Sequence, residues 1–218
     1  YQQMDLFKRG ANNVYKYTRS WIPKKNNNRY INIIGARSGS KFYARAGGNF
    51  QNLQEYIANR SDYKKIPIAI VDESESILQD SLHLLKIPTS LVERSETGGM
   101  MVLGVPPLQY HDRFRLMDDG HYLIARPDSS TLHIYDENHK VVQQVPLQVK
   151  VRPVNSIDLD REFELMNVSN ETRKKMRARV PSIKPPFLDV WVSKEHIWLY
   201  ADNGEEGKQI VILTMNGN

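Results

Sequence analysis

The sequence of 218 residues contains no cysteine. This absence excludes disulfide bonds, thiol nucleophiles and thiolate metal sites, and it leaves the cellular compartment open. Hydrophobic runs are also short, and none approaches the roughly 20 apolar residues that a membrane-spanning helix needs. We therefore predict no transmembrane segment.

The sequence also lacks the motifs of common metal and hydrolytic sites. Its six histidines are scattered, no two lie at a metal-ligand spacing on one element, and there is no HExxH pair. Residues 35–39 match neither a nucleophile elbow, which needs a serine midway between glycines, nor a P-loop, which needs Gly-Lys-Ser/Thr. His111 beside Asp112 is the most suggestive pair, a base next to an orienting acid, although it is also an ordinary polar start of a strand. We predict no catalytic residue, no metal site and no cofactor.

Basic residues are in modest excess. Lysine and arginine together number 30 against 25 acidic residues, which gives a formal net charge of +5. Such a surplus is typical of a well-solvated surface; the alternative is an anionic partner such as nucleic acid, an anionic glycan or lipid head groups. Charge alone does not choose among them.

Residues 113–146 carry the clearest fold signal. Three short apolar runs each end at a turn signal, and a fourth run begins at Val141. The turn at Asp119-Gly120 is the strongest of these signals, because Asp-Gly suits the positive φ angles of a tight hairpin turn. Since β-branched and aromatic residues are dense and helix formers are scarce, we predict an antiparallel meander of four short strands.

The same order of turn and strand recurs at residues 38–46 and 193–201. Recurring meanders are typical of β-propellers, in which four-stranded antiparallel sheets (blades) are repeated around an axis. The spacing between the recurrences exceeds the roughly 40–50 residues of a compact blade, so residues 47–65 and 147–186 are interpreted as excursions. We predict an all-β chain with one propeller domain over residues 1–218, of which about three to four blades are visible. Trp198, central in its strand, is predicted to be buried against the neighbouring sheet.

Residues 156–180 are the predicted helical insertion between blades. Asn155 or Ser156 can cap a first helix whose start is rich in acids, and Ser169 or Asn170 can cap a second, basic one. Residues 78–87 leave two alternatives open, because their leucine spacing suits a helix whereas the blade context suits an outer strand.

The second predicted helix holds the candidate binding residues. Met176 and Val180 share helical spacing and would anchor it against a sheet, leaving the charged faces outward. Such a surface would suit an acidic partner or a membrane surface, and the alternative is an ordinary solvated face. The five cations of this cluster are Arg173, Lys174, Lys175, Arg177 and Arg179.

An ordered series of short motifs in residues 100–218 resembles the bacterial six-bladed β-propeller proteins of the TolB-like superfamily. The series runs from the meander of residues 113–142 to a helical excursion, a proline-rich return and a strand with a central tryptophan. Its motifs are Arg152-Pro153-Val154, Asp160-Arg161-Glu162, Val180-Pro181, Lys184-Pro185-Pro186-Phe187 and Ile197-Trp198-Leu199.

The resemblance implies a six-bladed ring, so the 218 residues, which stop inside a blade, are expected to be an incomplete part of it. It also implies a location outside the cytoplasm, because members commonly carry export or lipoprotein signals. The expected function is a non-enzymatic scaffold for a protein or glycan, in some cases within a complex at a membrane surface; nucleic acid is not expected. The alternative is a hydrolase or lyase at the mouth of a central tunnel, where Asp72, Asp189 and Asp202 are the available strand-end acids.

Overall fold

The computed structural model describes residues 4–9, 15–21, 30–47, 63–74, 76–94, 98–129, 131–204 and 207–215. Antiparallel strands dominate this part of the chain and only two helices accompany them, which confirms the predicted all-β character. The chain divides into two compact units, one formed by Tyr1–Leu53 with Ile66–Leu84 and the other by Gln54–Lys65 with Leu85–Asn218. Most of the first predicted excursion, residues 48–62, lies outside the described residues.

The first unit contains a two-stranded and a four-stranded sheet, the latter in the order β3-β4-β5-β6. The turn predicted at residue 38 is present, with φ of 70° at Gly39 and 57° at Ser40. Residues 78–87 form a strand, since pairing in the sheet overrides their helix-like leucine spacing. The strands are β1 (Met4–Arg9), β2 (Tyr15–Trp21), β3 (Tyr30–Arg37), β4 (Lys41–Gly47), β5 (Tyr63–Asp72) and β6 (Ile77–Pro88). The first three residues of β5 and the last four of β6 belong to the second unit.

The second unit contains a hairpin, a four-stranded meander and a three-stranded meander. The predicted turn at Gly120 is confirmed, with φ of 86°, a backbone conformation that favours glycine. A Cβ there would lie 2.5 Å from a carboxylate oxygen of Glu137, whose flexible side chain would have to shift. The hairpin is β7 (Leu91–Arg94) and β8 (Met100–Gly104). The four-stranded sheet is β9 (Arg113–Leu116), β10 (Tyr122–Ala125), β11 (Thr131–Tyr135) and β12 (Val141–Pro146). The three-stranded sheet is β13 (Asp189–Val192), β14 (His196–Gly204) and β15 (Gly207–Thr214).

These two meanders pack face to face around one apolar core. Leu123 and Ile134 of the four-stranded sheet share it with Ile197 and Leu199 of β14. The prediction that Trp198 is buried is wrong: it lies between these two residues on the opposite, partly exposed face. Because side chains alternate across a strand, the branched aliphatic neighbours take the core and the indole points away from it.

The helical insertion is confirmed as two short helices, α1 (Ser156–Met166) and α2 (Asn170–Arg177). Asn155 is the N-cap of α1 and forms a capping box with Asp158, while Ser169 caps α2. No helix in the described ranges is long and apolar enough to cross a membrane.

Candidate binding surfaces

The structure places the predicted basic cluster on α2 and at its C-terminal end. Met176 is fully buried and anchors the helix, as predicted. Lys174 and Arg177 are exposed, whereas Arg173, Lys175 and Arg179 are half-buried. The five cations therefore do not form one continuous exposed patch.

Acidic residues from other elements neutralise part of this cluster. The Lys175 ammonium lies 2.6 Å from a carboxylate oxygen of Glu171 and 2.7 Å from one of Glu93 on β7, and these hydrogen bonds raise the pKa of Lys175. Arg177 pairs with Asp160 of α1 at 2.5 Å. Ion pairs thus cover part of the surface of α2, and Lys174 and Arg177 carry its most exposed positive charges.

Lys184, only 1% exposed, is the centre of a buried ion-pair network that sequence reasoning missed. Its ammonium lies 2.7 Å from Asp158 Oδ1 of α1 and 2.9 Å from Asp202 Oδ2 of β14. The Arg152 guanidinium donates two hydrogen bonds, of 2.8 and 2.9 Å, to the carboxylate of the same Asp158. Lys184 therefore joins the first helix to the three-stranded sheet.

Two further ion pairs extend this network. Arg161 of α1 bonds to Asp202, and Lys208 of β15 lies 3.2 Å from Glu162 of α1. Burial alone would raise the pKa of Asp158, but the donors on Arg152 and Lys184 and the amide of Asn155 outweigh it and hold that pKa at about 2. The central charges of the network, on Lys184, Asp158 and Asp202, face one another inside the protein, so the network acts as a structural clamp. The one sequence feature that could have indicated this network is Lys184 itself, a lysine inside the otherwise apolar run from Ile183 to Phe187.

The strand-end acids considered for a tunnel enzyme have structural roles. Asp189 accepts a hydrogen bond of 2.5 Å from Arg115, and Asp202 belongs to the buried network. Asp72 organises its own exposed turn, where the hydroxyl of Ser74 is the main cause of its lowered pKa. The hydrolase or lyase alternative thus gains no supporting geometry from these acids.

Asp112, the acid of the suggestive His111-Asp112 pair, is buried at the start of β9. Its carboxylate accepts a hydrogen bond of 2.8 Å from the amide of Lys86, and its own amide donates to the Lys86 carbonyl at 2.9 Å. Burial raises the pKa of Asp112. The double contact ties the end of β6 to the loop before β9, as expected of a polar strand start. Within the ranges that the structure describes, no group of three or more His, Cys, Asp or Glu residues could hold a metal ion.

The outer face of the three-stranded sheet carries a row of large apolar side chains. Trp191, Trp198 and Ile212 are in register across the three strands, and Tyr200 and Ile210 pair in the next row of the same face. Trp191 is 45% exposed, Ile210 63% and Ile212 57%. We call these five residues the aromatic face.

The aromatic face rests on a rigid base, because its opposite side is the shared core and the ion-pair network ties β14 and β15 to α1. The sequence analysis placed Trp198 in the core and therefore did not anticipate this face. Comparisons with known proteins give no further guide: no family model matches the sequence, and neither curated proteins nor solved structures show a significant match.

Proposed function

We propose that the protein is a non-enzymatic binding scaffold, built on β-propeller sheets outside the cytoplasm, that binds a protein or a glycan. The propeller assignment is supported by the way in which β9 and β13, the first strands of the two stacked meanders, lie side by side. Arg113 donates to the Leu188 carbonyl at 2.6 Å and Arg115 to the Val190 carbonyl at 2.8 Å. Adjacent first strands are what sheets repeated around an axis require. The location rests on the resemblance to TolB-like propellers alone.

The aromatic face is the observation that carries the binding function. Soluble proteins rarely expose contiguous large apolar side chains unless the surface binds something. Tryptophan and tyrosine give a large contact area at a small loss of conformational entropy, and their rings pack against protein side chains as well as against apolar faces of sugars. A face fixed by a packed sheet needs little reorganisation on binding.

The exposed cations of α2 provide a secondary contact surface in this proposal. Lys174 and Arg177 would attract an acidic partner, or a complex at an anionic membrane surface, through screened electrostatic forces. Arg173, Lys175 and Arg179 support that surface from half-buried positions.

Photo-crosslinking tests the proposal. A benzoylphenylalanine at position 212 samples the aromatic face, and one at position 142, an exposed valine on β12, is the matched control. In the cells that produce the protein, we expect a discrete crosslinked partner from position 212 and none from position 142. In parallel, a panel of soluble polysaccharides is tested for retardation of the protein in affinity gels. Equal crosslinking from both positions, with no retardation by any polysaccharide, would contradict the proposal.

A further inference from the structure

Lys184, Asp158 and Asp202 form a triad of charged groups that is shut off from solvent. Their side chains are only 2%, 3% and 1% exposed. The Lys184 nitrogen lies 2.7 Å from Asp158 Oδ1 and 2.9 Å from Asp202 Oδ2. An amine held this close to a carboxylate lies beside the carbon that it can attack, and a second carboxylate is within reach of its protons.

Burial makes the charges of this triad costly. Each ion loses its hydration, and the attraction within a buried ion pair often fails to offset that loss. Condensation of the lysine with one carboxylate to an amide, with loss of water, removes two of these charges at once. The ions that remain are still paired, because Asp158 keeps two hydrogen bonds from Arg152, and Arg161 lies 3.7 Å from Glu162.

We propose that Lys184 and Asp202 react with each other to form an intramolecular amide (isopeptide) bond, with Asp158 as the catalytic residue that moves the protons. The bond links the segment before β13 to β14 and closes residues 184–202 into a covalent loop. Such a loop restricts the unfolded chain, as a disulfide does, and this sequence has no cysteine to provide one. The inference concerns the scaffold itself and is independent of what the aromatic face binds.

The reaction begins with proton transfer from the Lys184 ammonium to Asp158. Asp158 is ionised at neutral pH, since its pKa is about 2, and it can therefore accept the proton. The transfer leaves two neutral groups, and burial favours neutral forms over charged ones. The amine then attacks Cγ of Asp202. Arg161 donates a hydrogen bond to Asp202 Oδ2 and stabilises the negative charge that develops on this oxygen.

The atoms of this step balance without a co-reactant. A C–N bond forms between Lys184 and Asp202, and the bond from Cγ to Oδ1 of Asp202 breaks. Two protons leave the lysine nitrogen and pass through Asp158 to Oδ1, which departs as water. Among the residues that the structure describes, no group donates a hydrogen bond to the buried Oδ1, so none holds it back. Asp158 ends ionised, as it began, and the ion pairs described above belong to the protein before this step.

Intact mass spectrometry of the denatured full chain tests the proposal, both at purification and after days at pH 7. The amide lowers the mass by that of one water molecule. We expect this loss in the unmodified protein and in K174M, which changes an exposed lysine, but not in K184M, which has no nucleophile. In D158N, whose asparagine cannot carry the protons, the loss should accumulate at least about 100-fold more slowly. Digestion and tandem mass spectrometry of the unmodified protein should give a branched peptide that joins Lys184 to Asp202.

Three outcomes would overturn the proposal. The first is the full mass of the sequence in the unmodified protein after the incubation. The second is a loss of water that persists in K184M, because the loss would then come from closure of an aspartate onto its own backbone as a succinimide. The third is a digest of the unmodified protein without the branched peptide. This last measurement decides the matter even where a variant does not fold.

Discussion

Replacing Lys184 by methionine is the sharpest test of how the helical insertion is held in place. Methionine keeps most of the apolar stem and removes the ammonium that lies 2.7 Å from Asp158 and 2.9 Å from Asp202. Both carboxylates are nearly inaccessible to solvent, so water cannot replace the lost charge without opening the structure.

The expected cost follows from this burial. Removing one partner of a buried ion pair typically destabilises a protein by about 3–5 kcal/mol, because the remaining charge stays desolvated. Arg152 and Arg161 still neutralise Asp158 and Asp202, which places K184M at the lower end, about 3 kcal/mol. The matched control K174M, on the exposed surface of α2, should change the free energy of unfolding by less than about 0.5 kcal/mol.

Urea unfolding at pH 7 measures both variants. Tryptophan fluorescence is a suitable probe, because Trp191 and Trp198 lie in the sheet that Lys184 joins to α1. The double variant K184M/D202N should be less destabilised than the sum of its single variants, since the substitutions remove opposite charges of one pair. A loss below about 1 kcal/mol for K184M, or strict additivity in the double variant, would refute the assignment of the network as a clamp.

Three further predictions follow from individual side chains. The folded pKa of Asp158, about 2, lies below its ordinary value of 3.8, so its stabilisation is present at neutral pH and is lost as the pH falls through 2. The ionised carboxylate stabilises the fold by about 2 kcal/mol. The urea midpoint of D158N should therefore fall less between pH 5 and pH 2 than that of the unmodified protein, and an equal fall would contradict this. By calorimetry, L199A should lower the free energy of unfolding by about 2–5 kcal/mol, because Leu199 faces the core. W198A should lower it by clearly less than the roughly 3–5 kcal/mol typical of a core aromatic, because Trp198 lies on the opposite face, and the reverse order would refute the assigned faces. K174Q/R177Q should alter stability by less than about 1 kcal/mol yet weaken binding to dextran sulfate at low salt, and equal binding by the variant and the parent would leave α2 as a solvated surface.

Local chemistry made much of the fold predictable. The hairpin turns depend on residues that tolerate positive φ, such as Gly39 and Gly120, and the helix starts depend on caps such as Asn155 and Ser169. These signals lie within a few residues of the structure that they specify. For residues 78–87, local spacing and tertiary pairing favoured different structures, and pairing decided the outcome.

The errors arose where the decisive contacts join distant parts of the chain. In the strand around Trp198 every position from 197 to 200 is apolar or aromatic, so the alternation gives no sign of which face is the core. Lys184 meets acids that lie 26 residues before and 18 residues after it, and Lys175 meets Glu93, 82 residues away. The sequence of the helical segment alone therefore indicates a cluster of five cations, whereas in the folded protein acids from other elements pair with part of that cluster.

Binding at the aromatic face is tested most directly by its affinity for the partner that crosslinking or polysaccharide retardation identifies. Calorimetric titration should show a loss of at least about tenfold, or about 1.4 kcal/mol, for W191S/I212S. The control I157S, which changes an isoleucine on α1 that is even more exposed than Ile212, should bind as the unmodified protein does. Undiminished binding by W191S/I212S in a fold shown to be intact by circular dichroism would contradict the account.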